Sequence, residues 1–178
     1  MSFIELKRDR QYHGPIFDVI KVQTQLPDGR KRSYDLVEHG DSITILPVDE
    51  QGAIWFVTQH RIGAGCSLLE LPAGVLDPGE SPMDCAQREI REEIGMAAKN
   101  WTELGAFYLA PGYMDEYMTV FLATGLSQSP VDPDEDEFIT IKKIPVNEVY
   151  QKVDKGDFHD GKTLAALLLA MRLLKSDL

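Results

Sequence analysis

Residues 74–96, GVLDPGESPMDCAQREIREEIGM, constrain this chain more than any other stretch. Ser81 is a good helix N-cap, Pro82 suits the first helical position, and Asp84 completes a capping-box pattern with Ser81. Gly95 suits the position just past a helix end. A helix is therefore expected from about residue 82 to about residue 94. At ~100° per residue, Met83, Ala86, Ile90 and Ile94 form one stripe, which should face a core. Glu89 and Glu93 fall ~40° apart at the margin of that stripe, and Glu92 lies further round toward solvent.

Carboxylates at i, i+3 and i+4 can converge on a hard cation such as Mg²⁺, which takes oxygen ligands. The wheel makes Glu89 and Glu93 the inner candidates and Glu92 a peripheral one. A solvated acidic face is the plain alternative, because Glu-rich helices are common. Arg88 has its own plain alternative, an i,i+4 pair with Glu92 worth only ~0.3 kcal/mol.

The wider spacing decides between these readings. Gly74 is followed after five residues by Glu80, and after seven more by Arg88-Glu89-Ile90-Arg91-Glu92-Glu93-Ile94-Gly95-Met96. This resembles the Nudix box at every defined position. The resemblance implies a hydrolase that cuts diphosphates of the form nucleoside-diphosphate-X. It implies an α+β fold, a mixed-sheet α/β/α sandwich, with Mg²⁺ as cofactor and Mn²⁺ as an alternative. It also implies that Arg88 pairs with Glu80 and braces the loop against the helix.

Flanking residues narrow the resemblance. The segment from Gln59 to Gly74, QHRIGAGCSLLELPAG, is similar to the approach to the box in ADP-ribose pyrophosphatases. There, an arginine matching Arg61 contacts substrate phosphates, a backbone carbonyl matching Ala73 ligates a metal, and a glutamate matching Glu70 precedes the Pro-Ala-Gly. Pro111 stands close to where those enzymes carry a marker proline, although its neighbours here are Ala110 and Gly112 rather than serine and glycine. Without the resemblance, Arg61 reads equally well as a surface arginine, and Pro111-Gly112 as an ordinary turn.

The helix carboxylates, if they hold metal, are poorly placed to accept a proton, so a general base is expected elsewhere. The acidic run at 132–137, DPDEDE, offers carboxylates between two expected strands. In ADP-ribose pyrophosphatases a Glu-x-Glu at this point supplies a base and a metal ligand. The resemblance assigns these roles to Glu135 and Glu137, with Asp134 and Asp136 leaving the register open by one residue. A solvated acid run is the plain reading.

Along the chain, apolar alternation at 16–25 and 32–38 flanks Pro-Asp-Gly, a hairpin signature. Strands are also expected at 42–48, 54–59, 68–71, 103–109, 117–123 and 138–144. A helix should follow Pro145, and a buried C-terminal helix should begin at a cap on Asp160. Strands, one helix, more strands and two helices make an α+β order. The seam is expected near Gly40-Asp41, giving an N-terminal β extension at 1–40 and the hydrolase domain at 41–178. In ADP-ribose pyrophosphatases such an extension helps build a dimer, so a homodimer is expected. Tyr34, Tyr113 and Trp55 could stack on a base, but core or cross-strand roles suit them better.

Composition sets outer bounds. The chain has 178 residues, long enough for a proper core, with an ordinary hydrophobic fraction of 43%. A net charge of −11 argues against nucleic-acid and anionic-membrane partners. An acidic enzyme acting on an anionic nucleoside-diphosphate substrate needs bridging cations, in keeping with a metal site. Cys66 and Cys85 form no metal or redox pattern and read as free thiols of a cytoplasmic protein. The most apolar run, Leu164 to Met171, is too short to span a bilayer. The expected reaction is hydrolysis of ADP-ribose to AMP and ribose 5-phosphate. GDP-mannose is the nearest alternative substrate; a dinucleoside-polyphosphate or RNA-cap hydrolase and a non-catalytic ligand sensor are more distant ones.

Overall fold

A computed structural model describes residues 2–131 and 138–174. The architecture is α+β, with ten strands and three helices among the described residues. The chain divides into two compact units, one of Met1–Asp41 with Phe107–Met118, the other of Ser42–Ala106 with Thr119–Leu178.

The first unit contains an antiparallel meander of β1 (Ile4–His13), β2 (Phe17–Gln25) and β3 (Lys31–His39). The expected hairpin is there as β2 and β3. Its turn closes through Leu26 N–H to the Arg30 carbonyl and through Gly29, whose φ of 85° suits glycine. Sequence reading missed β1, and the reason is physical. Every residue of β1 is exposed, so no buried face imprints a period of two on the sequence. The 107–118 segment joins this unit through Val37, whose N–H donates to the Tyr113 carbonyl and whose carbonyl accepts from Asp115 N–H. The Asp115 carboxylate also accepts the His39 N–H at 2.9 Å.

The second unit is built on a mixed sheet ordered β10 (Thr140–Pro145), β5 (Ala53–Arg61), β4 (Ser42–Val48), β9 (Tyr117–Gln128), β8 (Met96–Tyr108). Two short strands branch from it: β6 (Cys66–Glu70) pairs with β5, and β7 (Ala73–Val75) pairs with β4. β4 is buried along most of its length, as a central strand with both faces covered should be. The turn before β5 is held by the Asp49 carboxylate, which accepts from Gln51 N–H, Ala53 N–H and the Trp55 indole. Trp55 is thereby a buried core residue with Lys143 over its ring, the cross-strand role that suited it. One expectation shifts: β8 begins at Met96, directly after the box, rather than near 103. Gly95 in the left-handed conformation reverses the chain there, so no linker separates helix from strand.

Three helices pack on this sheet. α1 (Pro82–Ile94) lies against β4, β5 and β7; α2 (Val146–Lys155) against β5 and β10; α3 (Gly161–Leu174) against β4. The core joins Ile43, Ile45 and Val57 of the sheet to Cys85, Ala86, Ile90 and Ile94 of α1. Asp160 caps α3 as expected, its carboxylate accepting Thr163 N–H at 3.0 Å. No helix among the described residues is long and apolar enough to cross a membrane.

Candidate active site

The box helix takes the bounds its caps encode. Ser81 Oγ accepts the Asp84 N–H at 3.2 Å and donates to the Asp84 carboxylate at 2.6 Å. Gly95 closes the C-terminus, its N–H directed to Arg91 and Ile90 carbonyls. The buried stripe runs through Cys85, Ala86, Ile90 and Ile94, while Met83 is only half-buried. Burial pushes the Cys85 thiol up to about 12, so this cysteine is an inert core group. Cys66 is exposed, and both are free thiols.

Glu89 and Glu93 are buried, at 8% and 7% exposure, whereas Glu92 is only half-buried. The wheel's ordering of the three acids therefore matches their depth. Their immediate partners are protein groups. Arg88 Nη1 donates to Glu89 at 2.6 Å and to Glu92 at 2.9 Å, and Glu93 accepts the Ala73 N–H at 3.1 Å. Among the described residues, no three His, Cys, Asp or Glu side chains converge as a metal cage. Glu89 and Glu92 both turn to the Arg88 guanidinium. The donor set itself fits a hard divalent ion, being carboxylate and carbonyl oxygens held at the edge of a buried surface.

The first glycine of the box has a direct explanation. A Cβ on Gly74 would lie 1.8 Å from Glu89 Oε1. Only glycine lets β7 pass this close to the helix, and that contact sets the Ala73 backbone beside Glu93.

Arg88 also grips Glu80, through Nε at 3.0 Å and Nη2 at 2.9 Å, and reaches the Val75 carbonyl at 3.2 Å. Glu80 in turn accepts the Asp77 N–H at 2.9 Å. The loop before the helix is thus tied to the helix by one arginine, the brace that the box resemblance implies. The i,i+4 pair with Glu92 coexists with it. Arg88 holds the Glu80 carboxyl down at about 2.

A second charged centre lies where β5, β6 and α3 meet. Arg61 donates to Glu70 with a two-pronged fork, Nε at 2.9 Å and Nη2 at 2.7 Å. Glu70 is 1% exposed. Burial alone would raise its carboxyl, but hydrogen bonds from Arg61 and Lys162 outweigh it and the net direction is down. The bond to Glu70 also raises Arg61, with Glu93 and Asp160 adding to it, so Arg61 lies within the electrostatic reach of the box helix. Sequence reading missed Lys162, which pairs with both Glu70 and Asp160. Its buried partner Glu70 is far away along the chain, so no local pattern marks it.

The remaining expected residues divide. Pro111 stands exposed in a turn of the first unit, where the Ala110 carbonyl accepts N–H groups from Tyr113 and Met114. Glu135 and Glu137 lie outside the described residues.

The comparisons agree with the box. The chain matches the NUDIX domain over residues 38–167 and belongs to the Nudix family. It is 33% identical to the ADP-ribose pyrophosphatase of Bacillus subtilis (strain 168), covering 91% of this chain and 89% of that protein. It is 35% identical to the ADP-ribose pyrophosphatase of Mycobacterium tuberculosis (strain ATCC 25618 / H37Rv), covering 94% and 82%. In fold it is similar to a solved ADP compounds hydrolase, with a TM-score of 0.87 at 24% identity over 99% of this chain and 96% of that one.

Proposed function

We propose that this chain hydrolyses the diphosphate of ADP-ribose to AMP and ribose 5-phosphate with Mg²⁺, or Mn²⁺ in its place. One observation carries the reading: a helix face with two buried carboxylates, Glu89 and Glu93, shares a unit with a braced, half-exposed Arg61. The two pyrophosphatase relatives support the choice of substrate.

The roles follow from chemistry. Glu89, Glu92, Glu93, Glu137 and the Ala73 carbonyl would hold the cations. Bound divalent ions neutralise phosphate oxygens and acidify water. Glu135 takes the proton from the attacking water, whose oxygen bonds to one phosphorus as that phosphorus releases the bridging oxygen. Two phosphomonoesters result, and no oxidant or other reactant is needed. Arg61 binds the diphosphate, Glu70 fixes Arg61, and the Pro111 turn contributes to the substrate pocket. Glu80 and Arg88 keep the ligand helix and its loop in register. The domain reading also stands as proposed: residues 1–40 serve dimerisation and substrate binding, and 41–178 are the hydrolase domain. We place the enzyme in the cytoplasm as a homodimer without nucleic-acid or membrane partners.

The test is turnover of a nucleoside-diphosphate panel in ¹⁸O-water with product masses, which reports substrate and attacked phosphorus together. ADP-ribose should be among the best substrates, and chelator should abolish its turnover. Robust turnover of GDP-mannose with none of ADP-ribose would overturn the assignment. Light scattering on the chain lacking residues 1–38 tests the dimer; a truncation that is monomeric yet fully active would overturn the role given to the extension.

A further inference from the structure

Lys162 occupies a place that its own helix does not favour. It stands in the first turn of α3, where the helix dipole is positive and a cation is unfavourable. Its side chain is also largely buried, at 12% exposure. Lysine is rarely buried without an acid to pair with. Here two acids account for it: the Glu70 carboxylate, and Asp160 at 3.1 Å. The same Glu70 carboxylate accepts both prongs of the Arg61 fork.

The site is locked from several sides. Asp160 accepts from Thr163 Oγ1 at 2.6 Å, and Thr163 Oγ1 accepts the Leu71 N–H at 2.9 Å, next to Glu70. Arg61 is left with its Nη1 edge, which has no hydrogen-bond acceptor among the described residues, on a side chain 40% exposed. Two cations, Arg61 and Lys162, face two acids, Glu70 and Asp160, so the cluster is neutral as built. If Lys162 lost its charge, Glu70 and Asp160 would together outweigh Arg61. The field at the Nη1 edge would then turn against an anion.

We propose that Lys162 is a positioning residue for the diphosphate. It shares Glu70 with Arg61, holds the fork in place, and keeps the exposed edge of Arg61 electrostatically open to a phosphate oxygen. Lys162 acts through Arg61 and does not touch substrate. This rests on the functional reading above, since Arg61 must face an anionic substrate.

Steady-state kinetics with ADP-ribose on the full chain test it. Lys162→Met should raise KM about 10-fold, the scale of losing one charge-assisted hydrogen bond from the Arg61 edge to a phosphate oxygen, with kcat held within about 2-fold. Lys162→Arg should restore KM to within about 2-fold of wild type. Asp160→Asn shifts the cluster charge the other way while keeping a helix-capping side chain, so it should lower KM. A purely structural role would raise KM or damage stability in both directions. In an Arg61→Ala background, Lys162→Met should add little to KM, because the group it serves is gone. If Lys162→Met cannot be purified folded, Lys162→Gln and Asp160→Asn carry the same opposed signs. An unchanged KM in Lys162→Met or Lys162→Gln, an equal rise in the Arg61→Ala background, or a raised KM in Asp160→Asn would each overturn the inference. Wild-type protein inactive on ADP-ribose is a failure of the functional reading; active wild type with these contrary variants is a failure of Lys162 alone.

Discussion

Two arginines of the second unit each grip a carboxylate with the same fork, yet their surroundings differ in charge. Arg88 is one guanidinium among Glu80, Glu89 and Glu92. Arg61 faces Glu70, with Lys162 and Asp160 completing a balanced set. In the first centre three carboxylates share the Arg88 guanidinium, and carboxylate oxygens are the ligands that hard divalent ions take. The second centre needs no ion. Its Glu70 is fully buried and saturated, and the spare edge of Arg61 can spend its charge on an anion. The fork geometry is common to both, so charge balance separates the centre proposed to bind metal from the one proposed to bind the diphosphate.

The sharpest way to break this contrast is to remove a carboxylate from the first centre. Glu93→Gln and Glu89→Gln should each lower kcat on the order of 10³-fold, since a cation loses both a ligand and a countercharge. Glu92→Gln, further from the core, should cost less. Thermal unfolding of Glu93→Gln without metal should stay close to wild type, because Gln still accepts from Ala73 N–H. Near-wild-type turnover by all three variants at saturating Mg²⁺ would sink the reading of α1 as the metal-binding helix.

A smaller blow comes from geometry. In Gly74→Ala the new methyl would meet Glu89 Oε1 at 1.8 Å, and Glu89 would have to turn away. Misplacing one ligand by about an ångström should cost about 10²-fold in kcat, and the crowding about 1–3 kcal/mol in stability. Kinetics and thermal melts would show both; unaltered kcat would mean that Glu89 does not need its present position.

These two centres were unequally legible in the sequence. The bounds of α1, its caps and the depth order of Glu89, Glu92 and Glu93 follow from chemistry within one turn of the chain, which a sequence displays directly. The need for glycine at position 74 is not local, because it arises from a helix residue fifteen positions on. Lys162 is harder still, as its buried acid partner Glu70 is 92 residues away and nothing in Asp160-Gly161-Lys162-Thr163 announces more than a helix start. The strand β1 left no trace because exposure removes the apolar alternation that betrays a strand. Glu135 and Glu137 stay where the family resemblance put them, outside the described residues.

The second centre can be probed by keeping its charge and removing its shape. Arg61→Lys preserves the positive charge but cannot fork Glu70 and still offer a planar edge outward. KM should rise about 10-fold with kcat little changed, since binding of substrate and transition state is weakened alike. A fall in kcat with KM unchanged would place Arg61 in the chemical step instead, and the contrast between the two centres would blur.

The smallest expected effect concerns acid stability and separates brace from ligand within the first centre. The folded protein holds the Glu80 carboxyl at about 2, against an ordinary value of 4.5, through its bonds to Arg88. A carboxyl lowered on folding stabilises the native state fully above its unfolded value. That contribution is lost as pH falls toward the folded value. Wild-type melting temperature should therefore begin to drop below about pH 4.5, with the Glu80 share exhausted near pH 2. Glu80→Gln forfeits the share at neutral pH. Its melting curve against pH should start lower and fall less steeply through that window, and the two curves should converge at the acid end. The lowered Glu70 carboxyl acts with the same sign but is common to both proteins, so it cancels in the comparison. Parallel curves would mean that the Arg88–Glu80 contact carries no stability, and that Arg88 serves only to offset the charge of Glu89 and Glu92.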